Sequence, residues 1–193
     1  MSGRIIVPFV PTPEAVVHRM LAVANVKPGE IVYDLGAGDG RIIATAARDF
    51  NAKAVGVELQ DSRYQLIAER IHMEGLDKLA SAIKADFLNV DLSNANVVTL
   101  YLLNSVNSLI RPKLERELKP GARIVSHDFP IQGWKPVRVE KIWAHSNSHL
   151  IYLYELPTSL ASHTKGGRST LRRNLVNHLR LSLAHSHLDR LIP

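Results

Sequence analysis

Three acids in this chain each follow a short apolar run. Asp34 closes I-V-Y-D, Glu58 closes A-V-G-V-E, and Asp86 comes directly after S-A-I-K-A. Just past the first acid lies a glycine-rich turn, Gly36-Ala37-Gly38-Asp39-Gly40, leading into Arg41. Glycine has no Cβ and reaches positive φ at little cost, so a ligand can come close to such a turn. The helix start behind it offers free N–H groups. A dinucleotide fingerprint would place a third glycine three residues after the second, and that position is Arg41 here. Asp34, two residues before Gly36, suits a ligand with a positive charge or an amino group rather than a pyrophosphate. Glu58 falls about twenty residues beyond the turn, where the acid of a nucleotide fold grips a ribose diol. Asp86 can accept a hydrogen bond from an adenine amino group, with Phe87 beside the ring. Each acid alone could be a solvated strand end; together with the turn they form a set.

The elements that must position this set can be read around it. Thr12-Pro13-Glu14 is a helix start, with Thr12 as N-cap, Pro13 in the first helical position and Glu14 in the first turn. Val16, Val17, Met20, Leu21 and Ala24 give that helix one apolar face. Strands are expected at 31–35, 54–58, 81–85, 96–103 and 122–126, alternating with helices at 41–50, 61–74 and 105–118. The strands are apolar without alternation, which fits burial on both faces. The pattern then changes: 137–145 and 149–156 read as two strands joined by Ser146-Asn147-Ser148, a hairpin. The expected fold is α/β, a Rossmann-like, doubly wound and mostly parallel seven-stranded sheet that closes on a C-terminal antiparallel hairpin. Strand ends that carry Asp34, Glu58 and Asp86 then face one crevice. A ligand with a cationic centre, a ribose and an adenine is S-adenosylmethionine.

Composition narrows the rest. The 193 residues include no cysteine, which excludes disulfides, thiolate metal sites and a cysteine nucleophile. His127-Asp128 is the one pair that suggests a metal or a base; no second ligand cluster accompanies it in the sequence, and no metal is expected. The apolar patch near the start is interrupted by Pro8 and Pro11 and is too short for a signal peptide or a membrane span, so the chain is read as cytoplasmic. Of the formal net charge of +6, +5 belongs to residues 157–193, where six Lys or Arg stand against Asp189. The chain is therefore divided into a domain at 1–156 and a basic extension at 157–193. The extension opens as a linker and continues as a basic amphipathic helix with Leu171, Leu175, Leu179 and Leu183 on one stripe. It can dock on the body or on a second copy of the chain, contact nucleic acid through 165–190, or stay disordered.

V-Y-D-L-G-A-G-D-G-R-I, G-V-E and A-D-F resemble motifs of the seven-stranded (class I) S-adenosylmethionine-dependent methyltransferases. Three further segments, F-V-P-T-P at 9–13, V-V-T-L-Y-L-L at 97–103 and H-D-F-P-I-Q-G-W at 127–134, are similar to the archaeal protein-lysine methyltransferases related to the Dot1 catalytic core. They also resemble the mitochondrial lysine methyltransferases of the ATP synthase c-subunit. The resemblance covers 9–156. It implies S-adenosylmethionine as methyl donor, with S-adenosylhomocysteine as product, held by Pro11, Thr12, Asp34, Gly36, Ala37, Gly38, Glu58, Leu59, Asp86 and Phe87. It also implies that the lead-in before the first helix folds over the cofactor, putting Val10, Pro11 and Thr12 near the methionine end. Tyr101 would face the methyl group with Leu102 and Asn104 nearby, Tyr101 and Asn104 being the catalytic candidates. Substrates would be proteins that present lysine, small basic chromatin proteins and the enzyme itself among them. Tyr-Leu-Leu-Asn at 101–104 stands where amide- and base-directed enzymes carry an Asn/Asp-Pro-Pro-aromatic motif. The alternatives are an RNA or small-molecule methyltransferase on the same fold, and a non-catalytic cofactor-binding module tethered by the tail.

Overall fold

The computed structural model describes residues 9–163. The expected tail helix and its leucine stripe lie outside the described residues. Four helices and seven strands follow in the order α1 (Glu14–Val23), β1 (Ile31–Leu35), α2 (Arg41–Phe50), β2 (Lys53–Glu58), α3 (Asp61–Met73), β3 (Ala80–Lys84), β4 (Val97–Leu100), α4 (Asn104–Glu117), β5 (Arg123–His127), β6 (Arg138–Ala144) and β7 (Asn147–Glu155). Short 3-10 turns stand at Phe87–Asn89 and Thr158–His163.

All seven strands join one sheet in the order β3-β2-β1-β4-β5-β7-β6. The first five are parallel, and β7 runs antiparallel between β5 and β6. This is the expected doubly wound sheet with its closing hairpin. Every residue of β4 is buried, as are four of the five in β1, because helices cover both faces. Val16, Met20, Leu21, Ile43 and Ile67 of α1–α3 pack on one face. Val106, Ile110 and Leu114 of α4 pack on the other with Leu35, Leu100 and Tyr154. Progression reverses between β1 and β4, and ligands of such sheets bind beyond the strand carboxyl ends at that reversal.

Three local expectations change. Thr12 does not cap α1. Pro13 occupies the N-cap position, no side chain caps the helix, and the Thr12 hydroxyl faces His127 Nδ1 at 3.3 Å. Strand β4 stops at Leu100 rather than 103, and Tyr101 and Leu102 leave the sheet to line the crevice. The hairpin turns at His145-Ser146, one residue earlier than expected, with both residues at positive φ (47° and 64°) and Ala144 paired to Asn147. Two positive φ values make the mirror-image turn that suits strand twist. The stretch after Glu155 is tied to the body: Ser159 is buried, its hydroxyl accepts from the Glu155 N–H at 3.0 Å, and its carbonyl accepts from the Lys135 N–H. Among the described residues no helix is long and apolar enough to cross a membrane.

Candidate active site

A cavity of about 360 Å³ opens at the carboxyl ends of β1, β2 and β4, at the lower end of the range for small-ligand sites. All ten residues expected to hold the cofactor line it: Pro11 and Thr12 from the lead-in, Asp34, Gly36, Ala37 and Gly38 around the turn, Glu58 and Leu59 after β2, and Asp86 with Phe87 after β3. Tyr101 and Leu102 close the far wall. Asn104 is not part of the lining; it opens α4 and is exposed.

The three acids use their oxygens differently. Asp34 is 3% exposed. Its Oδ1 accepts from the Thr99 hydroxyl at 2.7 Å, and its other oxygen has no donor among the described residues. Burial pushes its carboxyl up to about 7; the Thr99 hydrogen bond pulls it back in part, and the charges of Glu58 and Asp39 push it further. A cation placed against it would reverse that shift. Glu58 is more occupied than its sequence position suggests. Oε2 accepts from Gly38 N–H at 3.0 Å, and Oε1 accepts from the N–H groups of Leu59 and Gln60 at 2.9 Å each. A carboxylate offers about four lone-pair sites, so Glu58 keeps one rather than both oxygens for a further donor. Asp86 caps the 3-10 turn through Oδ1, which accepts from Leu88 N–H at 2.9 Å, and Oδ2 is left for a further donor.

The glycine turn works by close approach rather than by N–H donation. The N–H groups of Gly36 and Ala37 both donate to Val57 O, and that of Gly38 is held by Glu58. Gly36 and Gly38 sit at φ 81° and 59°. A Cβ on Gly38 would come within 2.4 Å of the Phe9 ring, so only glycine lets the lead-in lie across the turn. Arg63 stands over that ring, 5.1 Å from its centroid.

Arg41, in place of a third glycine, straps the lead-in down. Its Nε and Nη2 clamp the Asp39 carboxylate while Nη1 donates to Thr12 O at 2.8 Å. Arg70 donates to the Asp39 carbonyl from the far side. Burial alone would raise the Asp39 carboxyl; Arg41 and Arg70 carry it below the usual range. The turn, α3 and the lead-in are thus one hydrogen-bonded unit.

At the far wall the Tyr101 ring lies 3.9 Å, centroid to centroid, from that of His127 at 31°. Burial pushes the Tyr101 phenol up, and the charge of Asp128 adds to it, so Tyr101 stays neutral. His127 is fully buried at the end of β5. Burial lowers its pKa to about 4; Asp128 opposes and His149 assists. His149 reaches this cluster from β7. It comes from an antiparallel strand that pairs His127 with Ile151, and only that register could have revealed it.

The chain has the sheet order of the class I methyltransferases, with a cavity at the strand reversal lined by Asp34, Glu58 and Asp86. It is an S-adenosylmethionine-dependent methyltransferase. Residues 34–138 match the ANTKMT methyltransferase domain, and the chain belongs to that family. It is 54% identical over 149 residues to the protein-lysine N-methyltransferase of Saccharolobus islandicus, covering 77% of this chain and 92% of that one. Identity to the adenine nucleotide translocase lysine N-methyltransferase of Mus musculus is 33% over 147 residues, 74% of this chain and 64% of the relative's length. A crystal structure of RNA methyltransferase from Salinibacter ruber, in complex with S-adenosylhomocysteine, superposes with a TM-score of 0.72 at 40% identity and covers 77% of this chain and 94% of that one.

Proposed function

We propose that the protein transfers methyl groups from S-adenosylmethionine to the ε-amine of lysine in other proteins. The observation that carries this reading is the wall beyond β4. Tyr101 presents an aromatic, half-buried platform there, packed at a tilt against His127 and followed by Leu102 and Leu103, in place of the polar Asn/Asp-Pro-Pro motif of amide- and base-directed enzymes. The relative that is 54% identical carries the lysine activity in its name.

The donor, when bound, supplies an electrophilic methyl on a sulfonium. The chain's part is to place and desolvate. Asp34 meets the positive end of the methionine moiety, Glu58 takes a ribose hydroxyl, and Asp86 with Phe87 takes the adenine. Pro11 and Thr12 cover the methionine end. The amine must arrive neutral, which for a lysine of pKa ~10.4 costs about 4.6 kcal/mol at pH 7. Tyr101 and Leu102 give the far wall an apolar and aromatic surface, so that wall lowers the lysine pKa and Tyr101 aligns the amine for in-line attack. The ammonium proton is released to water before the attack, and as the N–C bond forms the S–C bond breaks, leaving S-adenosylhomocysteine as a neutral thioether.

Small basic chromatin proteins fit as substrates of a cytoplasmic enzyme of this kind. Residues 157–193, with their net charge of +5, would serve as an extension that holds the enzyme near acidic partners such as nucleic acid. Methyl transfer to RNA is the second reading, favoured by the name of the Salinibacter ruber structure. Incubation with methyl-labelled cofactor and a cell lysate separates the two. Acid-stable label that maps to lysine is the expected result, and label in RNA with none in protein overturns it.

A further inference from the structure

We propose that His127, Asp128 and His149 form a binding site for one divalent transition-metal ion of the Zn²⁺ type, behind the methyl-transfer cavity and distinct from it. None of the three lines the cavity. His127 Nε2 stands 2.9 Å from His149 Nδ1 and 3.2 Å from Asp128 Oδ2, and His149 Nδ1 stands 3.3 Å from the same oxygen. Ligand atoms held ~2.1 Å from a metal lie about 3.0 Å apart at right angles and about 3.4 Å apart in a tetrahedron. Two of the three separations, 3.2 and 3.3 Å, fall within that interval, and the third, 2.9 Å, lies just below it.

The backbone builds this convergence. His127 ends β5 opposite Ile151, which places His149 two residues away along β7. Asp128 then turns at φ 58°, a conformation non-glycine residues rarely adopt. In that conformation its N–H donates to Leu150 O at 2.7 Å while its Oδ1 accepts from Leu150 N–H at 2.8 Å. One carboxylate oxygen is thereby fixed and the other is turned onto the two imidazoles. Three lone-pair atoms meet at one point, where a shared N–H could satisfy them only in part and a cation takes a lone pair from each.

Neighbouring groups fit a metal as well. With Nε2 given to the ion, the His127 ring proton sits on Nδ1 and donates to Thr12 Oγ1 at 3.3 Å, the outer hydrogen bond that orients a ligating histidine. The proton of His149 then lies on Nε2, which is buried without a protein partner. That unmet donor weakens the site without undoing a three-ligand chelate. Two imidazoles and one carboxylate favour Zn²⁺ and its neighbours over Mg²⁺ or Ca²⁺, which take oxygen shells. Access runs past Asp128 and His149, whose side chains are 29% and 12% exposed. The ion sits on the side of the His127 ring away from Thr12, so its part is to clasp the end of β5 to β7 and fix the ring on which Tyr101 rests.

The test is a Co²⁺ and Zn²⁺ titration of the chelator-stripped full chain, following visible Co²⁺ absorption and calorimetric heat. The chain has nine histidines, so the deciding readout is the difference between wild type and variants. His149→Ala and Asp128→Asn are each expected to remove one equivalent of bound metal, weakening it by more than about 100-fold. Asn keeps the oxygen that Leu150 needs, so Asp128→Asn decides the matter if His149→Ala fails to fold. Mg²⁺ at the same concentration is expected to give no heat. The same stoichiometry and the same Co²⁺ spectrum in wild type and Asp128→Asn would overturn the proposal.

Discussion

At the scale of single residues, the acids were legible because each ends an apolar run at a predictable edge of the sheet. Their hydrogen bonds were not. Glu58 spends three lone pairs on backbone N–H groups, and only the folded turn shows this. Thr12 illustrates the opposite failure. Its local pattern is that of an N-cap, but His127, 115 residues away, takes its hydroxyl. Two predictions belong here. Tyr101→Ala should lower kcat by about 10- to 100-fold, since it removes the surface that aligns the amine. Tyr101→Phe separates ring from hydroxyl, and full activity in Tyr101→Ala would end the alignment role. The second concerns pH. In the free protein Asp34 titrates at about 7, and a cationic ligand needs it ionised. Affinity should therefore rise with pH and level off above 7, about tenfold tighter at pH 8 than at pH 6. Calorimetry at the two pH values checks this, and an Asp34→Asn variant should lose the dependence.

At the scale of elements, the helices and strands were readable to within a residue or two at most ends. The misplaced boundaries fall where the chain leaves regular structure for tertiary reasons. Strand β4 stops at Leu100 because Tyr101 and Leu102 are needed as cavity wall. The hairpin turns one residue early because His145 and Ser146 take positive φ without the Asn-Gly signal that usually announces it. Arg41 was read as an absent glycine, and the structure gives it a positive role as the strap between turn and lead-in. A charge-assisted hydrogen bond of that sort contributes about 1.5–3 kcal/mol. Arg41→Ala should therefore loosen the lead-in and weaken cofactor binding by at least about tenfold, with the helices intact by circular dichroism. Arg41→Lys should not rescue it, because one ammonium cannot clamp Asp39 and reach Thr12 O together. Unchanged cofactor affinity would mean that Phe9, Arg63 and the Thr12–His127 contact hold the lead-in alone.

At the scale of the whole molecule, strand order and the place of the cavity follow from alternating β and α segments that end in a hairpin. That pattern leaves one reversal point for a ligand. What it hides is the cost of preparing that point. Asp34 is buried at the place proposed to meet a positive ligand, and without such a ligand its charge is uncompensated. Its folded pKa of about 7 stands above its unfolded value of 3.8. The folded protein therefore holds more protons than the unfolded chain between those values. Its stability is highest, in this respect, below pH 4, falls as pH rises through 7, and stays low above it. The full linkage would be at most about 4 kcal/mol, and a working figure after relaxation is about 2 kcal/mol. Asp34→Asn keeps the oxygen that accepts from Thr99 and removes the charge. Without cofactor, at pH 8, it should melt about 4–8 °C above wild type, and the gain should vanish near pH 4. Saturation with S-adenosylmethionine at 100 times Kd should stabilise wild type by about 2.7 kcal/mol, and the variant far less. Melting curves of both proteins at pH 4 and 8, with and without cofactor, decide the point: an Asp34→Asn variant no more stable than wild type at pH 8 would mean that water or a neighbouring group already compensates the buried charge before the ligand arrives.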